Sequence, residues 1–203
     1  MCPVPSAVTG LQVENLHTTC ILQVSWQEAL GVADGYILQV LDDRGFLVSN
    51  SSQDAACTSY RFHSLIPGKK YRVLVQTTSG GVRSPAVSAE SRTRPAAVTD
   101  LSIMSNTTTS LSFHWSPPEG DFELYEILFY QGDESLQERQ RVQSSSQQCA
   151  FHGLTPGTPY RVVVLTHSGD QSNQTSIWAR TVPAAVVSLT TRTGNQSDEL
   201  LVT

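Results

Sequence analysis

Apolar and polar residues alternate over short stretches of this chain, and turn-forming residues separate the stretches. Leu22, Val24 and Trp26 alternate with polar neighbours, and residues 111–115 repeat the pattern. Strict alternation over so few residues is typical of half-buried β-strands, and glycine and aspartate cluster in turns such as 42–45. No long helical periodicity appears, so the pattern predicts an all-β chain.

The sequence also contains an internal repeat. Residues 5–11 (PSAVTGL) recur 90 positions later as 95–101 (PAAVTDL), and again as 183–189 (PAAVVSL). Residues 65–71 (LIPGKKY) recur 89 positions later as 154–160 (LTPGTPY). We therefore predict two whole repeats and the beginning of a third, incomplete one, with the bounds 3–93, 94–182 and 183–203.

Each repeat contains about seven predicted strands, the number that forms a sandwich of two antiparallel sheets. A tryptophan on the second strand, a tyrosine on the third and a Leu-x-Pro-Gly-x-x-Tyr corner together resemble the fibronectin type III domain. The tryptophan would fill the space between the sheets, and the corner tyrosine would send its hydroxyl group to the backbone a few residues upstream. The residues that carry the resemblance and would determine the fold are Trp26, Tyr36, Leu65, Tyr71, Trp115, Tyr125, Leu154 and Tyr160.

The linker between the two repeats, residues 92–95 (RTRP), contains no glycine. Proline fixes its own backbone torsion and restricts its neighbour, so we expect a stiff joint. The predicted fold is therefore two tandem seven-stranded fibronectin type III, immunoglobulin-like β-sandwiches in an extended array.

The ends of the repeats carry a narrower resemblance. A Ser-Gly turn, as at 78–81 (TSGG) and 167–173 (HSGDQSN), is followed by an Arg-Thr-x-Pro sequence ahead of the next repeat. This arrangement is similar to the arrayed repeats in the ectodomains of receptor-type protein tyrosine phosphatases, especially the vascular endothelial and osteotesticular members. The resemblance implies a non-catalytic extracellular spacer and protein-binding segment of a single-pass plasma-membrane receptor, with a phosphatase domain elsewhere in the parent. Its partners would be neighbouring repeats, cell-surface receptors or extracellular ligands.

A second hypothesis stays open, in which the chain is a fibronectin type III segment of a secreted extracellular-matrix or cell-adhesion protein. The downstream sequence would discriminate between the two, since a receptor continues into a membrane helix and a phosphatase domain. No basic and apolar leader follows Met1, so we expect the chain to be a fragment of a longer protein.

Composition argues against several other classes of function. Hydrophobic residues make up 39% of the chain and charged residues 15%, which indicates a folded protein rather than a disordered one. The net charge is −5 and no basic run exceeds two residues, which argues against nucleic-acid binding. No apolar stretch approaches the ~20 residues of a membrane helix, so this segment itself should not contact a membrane.

The sequence shows no catalytic constellation. A phosphatase nucleophile would be a cysteine with an arginine six positions later. Cys57 is followed at that offset by His63, and Cys149 by Thr155. No Gly-rich phosphate loop or His-Glu-x-x-His helix occurs, and we interpret residues 42–43 (DD) as a turn rather than half of a calcium site. We therefore expect no enzyme activity, no cofactor and no metal in this chain.

The four cysteines do not determine the fold. Cys20 and Cys149 share the inward parity of neighbouring apolar residues, so we expect both to be buried free thiols that pack as small hydrophobes. Cys2 and Cys57 lie near the same end of the first repeat, and a bridge between them stays open.

Four Asn-x-Ser/Thr sequons favour an extracellular location. We place Asn50 in the turn before the fifth strand, Asn173 in the last turn, and Asn106 and Asn195 in the first turn of successive repeats. A sugar can project from a turn without disturbing a β-ladder. We predict that at least two sequons carry a glycan, with Asn106 and Asn173 favoured.

The outer face of the second repeat is a candidate protein-binding surface. Its outward positions on the third, sixth and seventh strands are more apolar than those of the first repeat, and Trp178 stands where that repeat has Glu90. Exposed apolar patches often mark contact sites, and aromatic residues dominate interface energetics. A competing hypothesis places Arg161 over Trp178 and Tyr130 in a cation–π ladder that leaves little apolar area exposed. The candidate residues are Leu128, Tyr130, Val163, Leu165 and Trp178.

Overall fold

The computed structural model describes residues 4–188 and, beyond them, the backbone of two short strands. Two β-sandwiches follow one another along the chain. The strands of the first repeat are β1 (Thr9–Glu14), β2 (Leu22–Gln27), β3 (Gly35–Leu41), β4 (Leu47–Asp54), β5 (Ser59–Phe62), β6 (Lys70–Ser79), β7 (Val82–Arg83) and β8 (Val87–Arg92). Those of the second are β9 (Thr99–Asn106), β10 (Ser110–Ser116), β11 (Leu124–Gln131), β12 (Leu136–Gln143), β13 (Gln148–His152), β14 (Pro159–Ser168) and β15 (Gln171–Arg180). The short strands β16 (Thr191–Thr193) and β17 (Leu200–Val202) pair antiparallel.

Each repeat contains two antiparallel sheets, as the alternating pattern predicts. In the first repeat one sheet has the order β1-β2-β5, and the other has β4-β3-β6 with both β7 and β8 paired to β6. In the second repeat the orders are β9-β10-β13 and β12-β11-β14-β15. Residues 4–188 contain no helix. The predicted all-β class is therefore confirmed.

The last strand is continuous in the second repeat but interrupted in the first. Pro85 has no N–H to donate to β6, so the ladder stops there and resumes at Val87. At this interruption the Ser84 hydroxyl group takes the place of a backbone acceptor for β6. Its Oγ accepts a hydrogen bond from the Thr77 N–H at 2.9 Å and donates to the Pro85 carbonyl at 2.9 Å. The first repeat therefore has eight strand segments where we predicted seven strands.

Each repeat has a hydrophobic core of its own, and the two cores share no residue. In both, the second-strand tryptophan meets the third-strand tyrosine edge to face. The ring centroids are 5.3 Å apart for Trp26 and Tyr36, and 5.4 Å apart for Trp115 and Tyr125. Edge-to-face contacts suit the ring quadrupoles and add to the free energy of burial. These four rings are at most 4% exposed.

The corner tyrosines adopt the geometry that the repeated Leu-x-Pro-Gly-x-x-Tyr sequence predicts. The Ile66 N–H donates to Tyr71 Oη at 2.9 Å, and the Thr155 N–H donates to Tyr160 Oη at 3.0 Å. Burial raises the pKa of the Tyr71 phenol, because the charged form would lose its hydration. Leu65 is buried beside its corner, whereas Leu154 is half-buried against the second core.

The turn between β3 and β4 is organised by Asp42, as expected for a turn-forming aspartate. Its Oδ1 accepts hydrogen bonds from the N–H groups of Phe46 at 2.9 Å and Arg44 at 3.0 Å. These bonds, that of Phe46 first, lower the pKa of the Asp42 carboxyl group. Among the described residues, no three His, Cys, Asp or Glu side chains come together as a metal site.

The cysteine predictions are half correct. Cys149 is buried, and this burial raises the pKa of its thiol to about 12. Cys20 is exposed, so its predicted burial is wrong. Strand β2 begins at Leu22, and Cys20 lies in the bend before it, where strand parity no longer determines side-chain direction. Cys57 is half-buried, and the bridge to Cys2 that the sequence left open involves a residue outside the described ones.

The two repeats meet at a joint between the corner turn of the first and two loops of the second. The Asp121 N–H donates to the Pro67 carbonyl at 2.8 Å. The buried Ser168 Oγ donates to the Gly68 carbonyl at 2.6 Å. Arg92 donates to both the Gly68 carbonyl and Ser168 Oγ, at 2.8 Å each. Backbone groups on both sides of the joint are therefore satisfied by the neighbouring repeat.

Polar bonds beside the linker extend this joint. Asn15, in the turn after β1, donates through Nδ2 to Gln171 Oε1 at 3.0 Å. The Nε of Arg94 donates to the Ser172 carbonyl at 2.8 Å. The stiffness that we predicted from the glycine-free linker and Pro95 thus has a further source, since hydrogen bonds also restrict the relative movement of the two repeats.

Candidate protein-binding face

Four cross-strand neighbours form a row on the outer face of the sheet β12-β11-β14-β15. Leu136 on β12 is paired with Tyr130 on β11. Tyr130 is also paired with Arg161 on β14, and Arg161 in turn with Trp178 on β15. Directly paired residues of antiparallel strands point to the same side of a sheet, so the four side chains lie on one face. We call this set the aromatic row.

Arg161 is the centre of the aromatic row. Its guanidinium carbon lies 5.1 Å from the Tyr130 ring centroid and 5.8 Å from the Trp178 ring centroid, within the range of cation–π attraction. Its Nη2 also forms an ion pair with Glu134 at 2.6 Å. The predicted position of Arg161 over both rings is confirmed, but the expectation that little apolar area stays exposed is wrong. The row is open to solvent, because Trp178 is 50% and Leu136 51% exposed.

The equivalent row of the first repeat has a different chemistry. It consists of Leu47, Leu41, Arg72 and Glu90. There the Nη2 of Arg72 donates to Glu90 at 2.9 Å, and Lys70 forms a second ion pair with the same carboxylate. Hydrogen bonds from Lys70 and Arg72 lower the pKa of Glu90. Where one repeat presents an ion-paired surface, the other presents two aromatic rings around a guanidinium group.

The exposed apolar surface lies further toward the edge of the sheet than we predicted. Val163 has outward parity but is only 5% exposed, so its prediction as a contact residue is wrong. Val163 lies on the central strand β14, paired with Leu128 on one side and with Ser176 on the other. Because its β-branched side chain is short, the two flanking strands cover it. Leu128 and Leu165 are half-buried. Leu136 was missed because only the strand register brings it beside the row.

Sequence reasoning also missed a buried carboxylate on the same face. Glu126 on β11 is 3% exposed. Its Oε1 accepts hydrogen bonds from Nε of Arg139 at 2.6 Å and of Arg141 at 3.3 Å, and His167 Nε2 lies 3.1 Å from its Oε2. The bond from Arg139 is the main reason that the pKa of Glu126 falls to about 2. The alternating charges of β12 are a signal for this cluster, but the register is needed to place Glu126 between them.

We expect the substitution Glu126→Gln to remove an acid-dependent part of the stability of the second repeat. A lowered pKa means that the stabilisation is present above about pH 4.5 and is lost as the pH falls toward about 2. Because the two arginine side chains are 58% and 70% exposed, solvent screening should reduce the effect to roughly 1–2 kcal/mol at neutral pH. Thermal unfolding between pH 7 and pH 2 measures it, with the exposed Glu119→Gln as control. Parallel pH profiles of wild type and Glu126→Gln would contradict this assignment.

The structure changes the predicted placement of the sequons. Asn50 lies within the edge strand β4 rather than in a turn, and its side chain is exposed. Asn106 is the last residue of β9 and is also exposed. Asn173 lies within β15 rather than in the last turn. It is half-buried, and its Nδ2 donates to the Pro95 carbonyl at 3.0 Å. Asn195 lies outside the described residues.

The chain belongs to the fibronectin type III family. The family model for the fibronectin type III domain matches residues 6–94 and 96–182. A two-domain fibronectin type III segment of chicken tenascin superimposes with a TM-score of 0.70 at 19% identity, covering 87% of this chain and 100% of that segment. Both matched domains are non-catalytic, and no catalytic domain is detected in the chain. Within the part of the chain that the structure describes, there is also no helix able to cross a membrane.

Proteins of two kinds are similar to this chain. Receptor-type tyrosine-protein phosphatase V of Rattus norvegicus is 28% identical over 170 residues, which cover 83% of this chain and 10% of that protein. Receptor-type tyrosine-protein phosphatase eta of Mus musculus is 29% identical over 172 residues, which cover 82% of this chain and 13% of that protein. Tenascin-N of Mus musculus is 26% identical over 172 residues, which cover 83% of this chain and 11% of that protein. The chain therefore spans about a tenth of the length of these relatives.

Proposed function

We propose that this chain is a non-catalytic spacer and protein-binding segment in the extracellular part of a cell-surface receptor of the tyrosine phosphatase type. The observation that carries the binding role is the aromatic row, in which Trp178 is 50% exposed at the position where the first repeat has the ion-paired Glu90. A large exposed aromatic residue costs solubility unless it is covered by a partner. The similarity to receptor phosphatases V and eta supports the class of parent protein.

A matrix protein is a second candidate parent. Tenascin-N shares a similar identity over a similar span, and the two-domain tenascin segment has the same fold. Both candidates give the chain the same task, which is to hold and present binding surfaces outside the cell. Within this proposal, the repeats span residues 3–93 and 94–182, and residues 183–203 begin a third repeat, supported by the recurring PAAV sequence at 183–186.

The substitution Trp178→Glu, which copies the first repeat, tests the binding role. We expect it to weaken binding by about 30-fold, the effect of an interface hot spot worth about 2 kcal/mol. Binding is measured against a panel of purified cell-surface receptor ectodomains and matrix proteins, and self-association by sedimentation velocity. Leu47→Glu is the matched control, because Leu47 is equally exposed on the equivalent row of the first repeat. Unchanged binding and self-association of a folded Trp178→Glu protein would refute the role of the row.

Glycosylation tests the extracellular location. When the chain passes through a mammalian secretory pathway, we expect glycosidase treatment to lower its mass. Asn50→Gln and Asn106→Gln should each remove one glycan, because both side chains are exposed and the Asn106 amide makes only a long bond, 3.3 Å to the Arg180 carbonyl. Asn173→Gln should change little, because that amide is half-buried and donates to the Pro95 carbonyl at 3.0 Å. Mass spectrometry of the three variants measures this order. A secreted wild-type protein without any glycan would speak against the extracellular proposal.

A further inference from the structure

The joint between the repeats depends on a small set of groups in the second repeat. Gly120, at φ +88°, lies so close to the first repeat that an added Cβ would be 2.5 Å from the Pro67 carbonyl oxygen. Gly169, at φ +58°, similarly faces the Arg92 side chain, and a Cβ added there would be 2.7 Å from Arg92 Nε. Glu123 holds the Gly169 turn by accepting a hydrogen bond from its N–H at 3.0 Å. These groups, with Ser168, form a seat for the Pro-Gly turn of the preceding repeat.

In the first repeat, the loop between β2 and β3 and the turn after β6 contain the same set of groups. Gly31 has φ +89° and Gly80 has φ +56°, which match their counterparts in the second repeat. Asp34 accepts a hydrogen bond from the Gly80 N–H at 2.6 Å, as Glu123 does for Gly169. Ser79 precedes Gly80 as Ser168 precedes Gly169. The backbone conformation of the seat is therefore built twice in one chain.

The first copy of the seat is open among the described residues. A Cβ added at Gly31 would meet nothing within 4 Å, in contrast to Gly120. Leu30 and Val32 are 83% and 81% exposed, and they border a cleft of about 380 Å³ that Ser79 also lines. The Val32 N–H corresponds to that of Asp121, yet it has no hydrogen-bond partner in residues 4–188.

We propose that this open seat, formed by Leu30, Gly31, Val32, Ser79 and Gly80, docks the Pro-Gly corner turn of another fibronectin type III repeat placed before it in the same polypeptide. The Val32 N–H donates to the carbonyl of the incoming proline, and Ser79 Oγ donates to that of the incoming glycine. Leu30 and Val32 replace the polar Glu119 and Asp121, so the incoming turn carries apolar neighbours. The inference rests on the spacer role proposed above and extends it to a second joint.

A three-repeat chain tests the proposal. Residues 5–94 are placed directly ahead of Pro5, so that Arg94 precedes Pro5 as it precedes Pro95 in the natural linker. Amide hydrogen exchange is then compared between this chain and the two-repeat chain. We expect the Val32 amide of the middle repeat to exchange at least tenfold more slowly than Val32 of the two-repeat chain, while Val32 of the added first repeat stays fast and Asp121 is protected in both.

The variant Ser79→Ala tests the docking contact separately from the folding of the repeat. Made in the middle repeat, it should speed the exchange of the middle Val32 in the three-repeat chain. In the two-repeat chain it should leave the melting temperature unchanged. If Val32 exchanges equally fast in both chains while Asp121 stays protected, the second seat is not a docking site and the proposed spacer role survives. Loss of protection at Asp121 would count against the spacer role itself. If the protection of Val32 in the two-repeat chain rises with protein concentration, the occupant of the seat is a second copy of the chain, and the proposed preceding repeat is wrong.

Discussion

Replacing Gly68 with alanine should open the joint between the repeats, whereas the same change at Gly157 should not. Both glycines occupy the corner turn of their repeat with nearly equal φ, +70° and +67°. A Cβ at Gly68 would overlap the carbonyl oxygen of Asp121 in the second repeat, and backbone atoms cannot move aside as a flexible side chain does. A Cβ at Gly157 would meet Pro183 at an ordinary 3.6 Å.

The comparison separates two effects of the substitution. Each variant forces an L-residue into a left-handed conformation, which costs roughly 1–2 kcal/mol in its own repeat. Only Gly68→Ala additionally pushes the repeats apart. Hydrogen exchange at the Asp121 amide reports this directly, because that amide donates to Pro67 across the joint at 2.8 Å. Fast exchange in Gly68→Ala and slow exchange in Gly157→Ala is the expected result. Equal protection in the two variants would mean that the joint tolerates displacement.

The substitution Trp115→Ala should destabilise the second repeat strongly and leave the first repeat intact. Trp115 is 1% exposed and packs edge to face on Tyr125. Removing a buried tryptophan side chain costs about 3–5 kcal/mol, because the surrounding residues fill the cavity only partly. For a domain of this size, that loss lowers the melting temperature by at least about 12 °C. Trp26→Ala should have the same effect on the first repeat.

Differential scanning calorimetry measures both transitions in one experiment. The two cores share no residue, so each tryptophan variant should shift one transition and leave the other in place. Trp178→Ala is the control for loss of an indole ring, since this tryptophan is half exposed and should shift neither transition by more than a few degrees. A common shift of both transitions in Trp115→Ala would show that the repeats unfold as one unit.

The aromatic row and the open seat differ in how they would recognise a partner. The row presents ring faces and one guanidinium group on a sheet, where side chains determine the contact. The seat presents glycine backbone and a serine hydroxyl, so the conformation of an incoming turn determines the fit. A mutation in the row should therefore change which partner binds. A mutation in the seat should change the geometry of the array.

Sequence reasoning about single residues was wrong at Cys20, Val163 and Asn50, for a different reason in each case. The parity of β2 does not extend to Cys20, because the strand begins at Leu22. Parity correctly placed Val163 on the outer face, but the neighbouring strands cover its short side chain, which is only 5% exposed. Asn50 was assigned to the turn before the fifth strand, but it lies within the edge strand β4, whose residues alternate between exposed and half-buried.

The sequence by itself determined the class of fold, the tandem arrangement and the tryptophan and tyrosine residues of each core. Alternation with period two, a 90-residue repeat and a tyrosine corner are local or periodic features, and each follows from the covalent order of the chain. The contacts that give this pair of repeats its surface were decided only by the tertiary structure. The register between strands places Leu136 beside Tyr130 and Glu126 between two arginines, and the packing of one repeat on the other buries Ser168 against Gly68. Such contacts join residues that are distant along the chain, and no periodicity in the sequence specifies their distances or their partners.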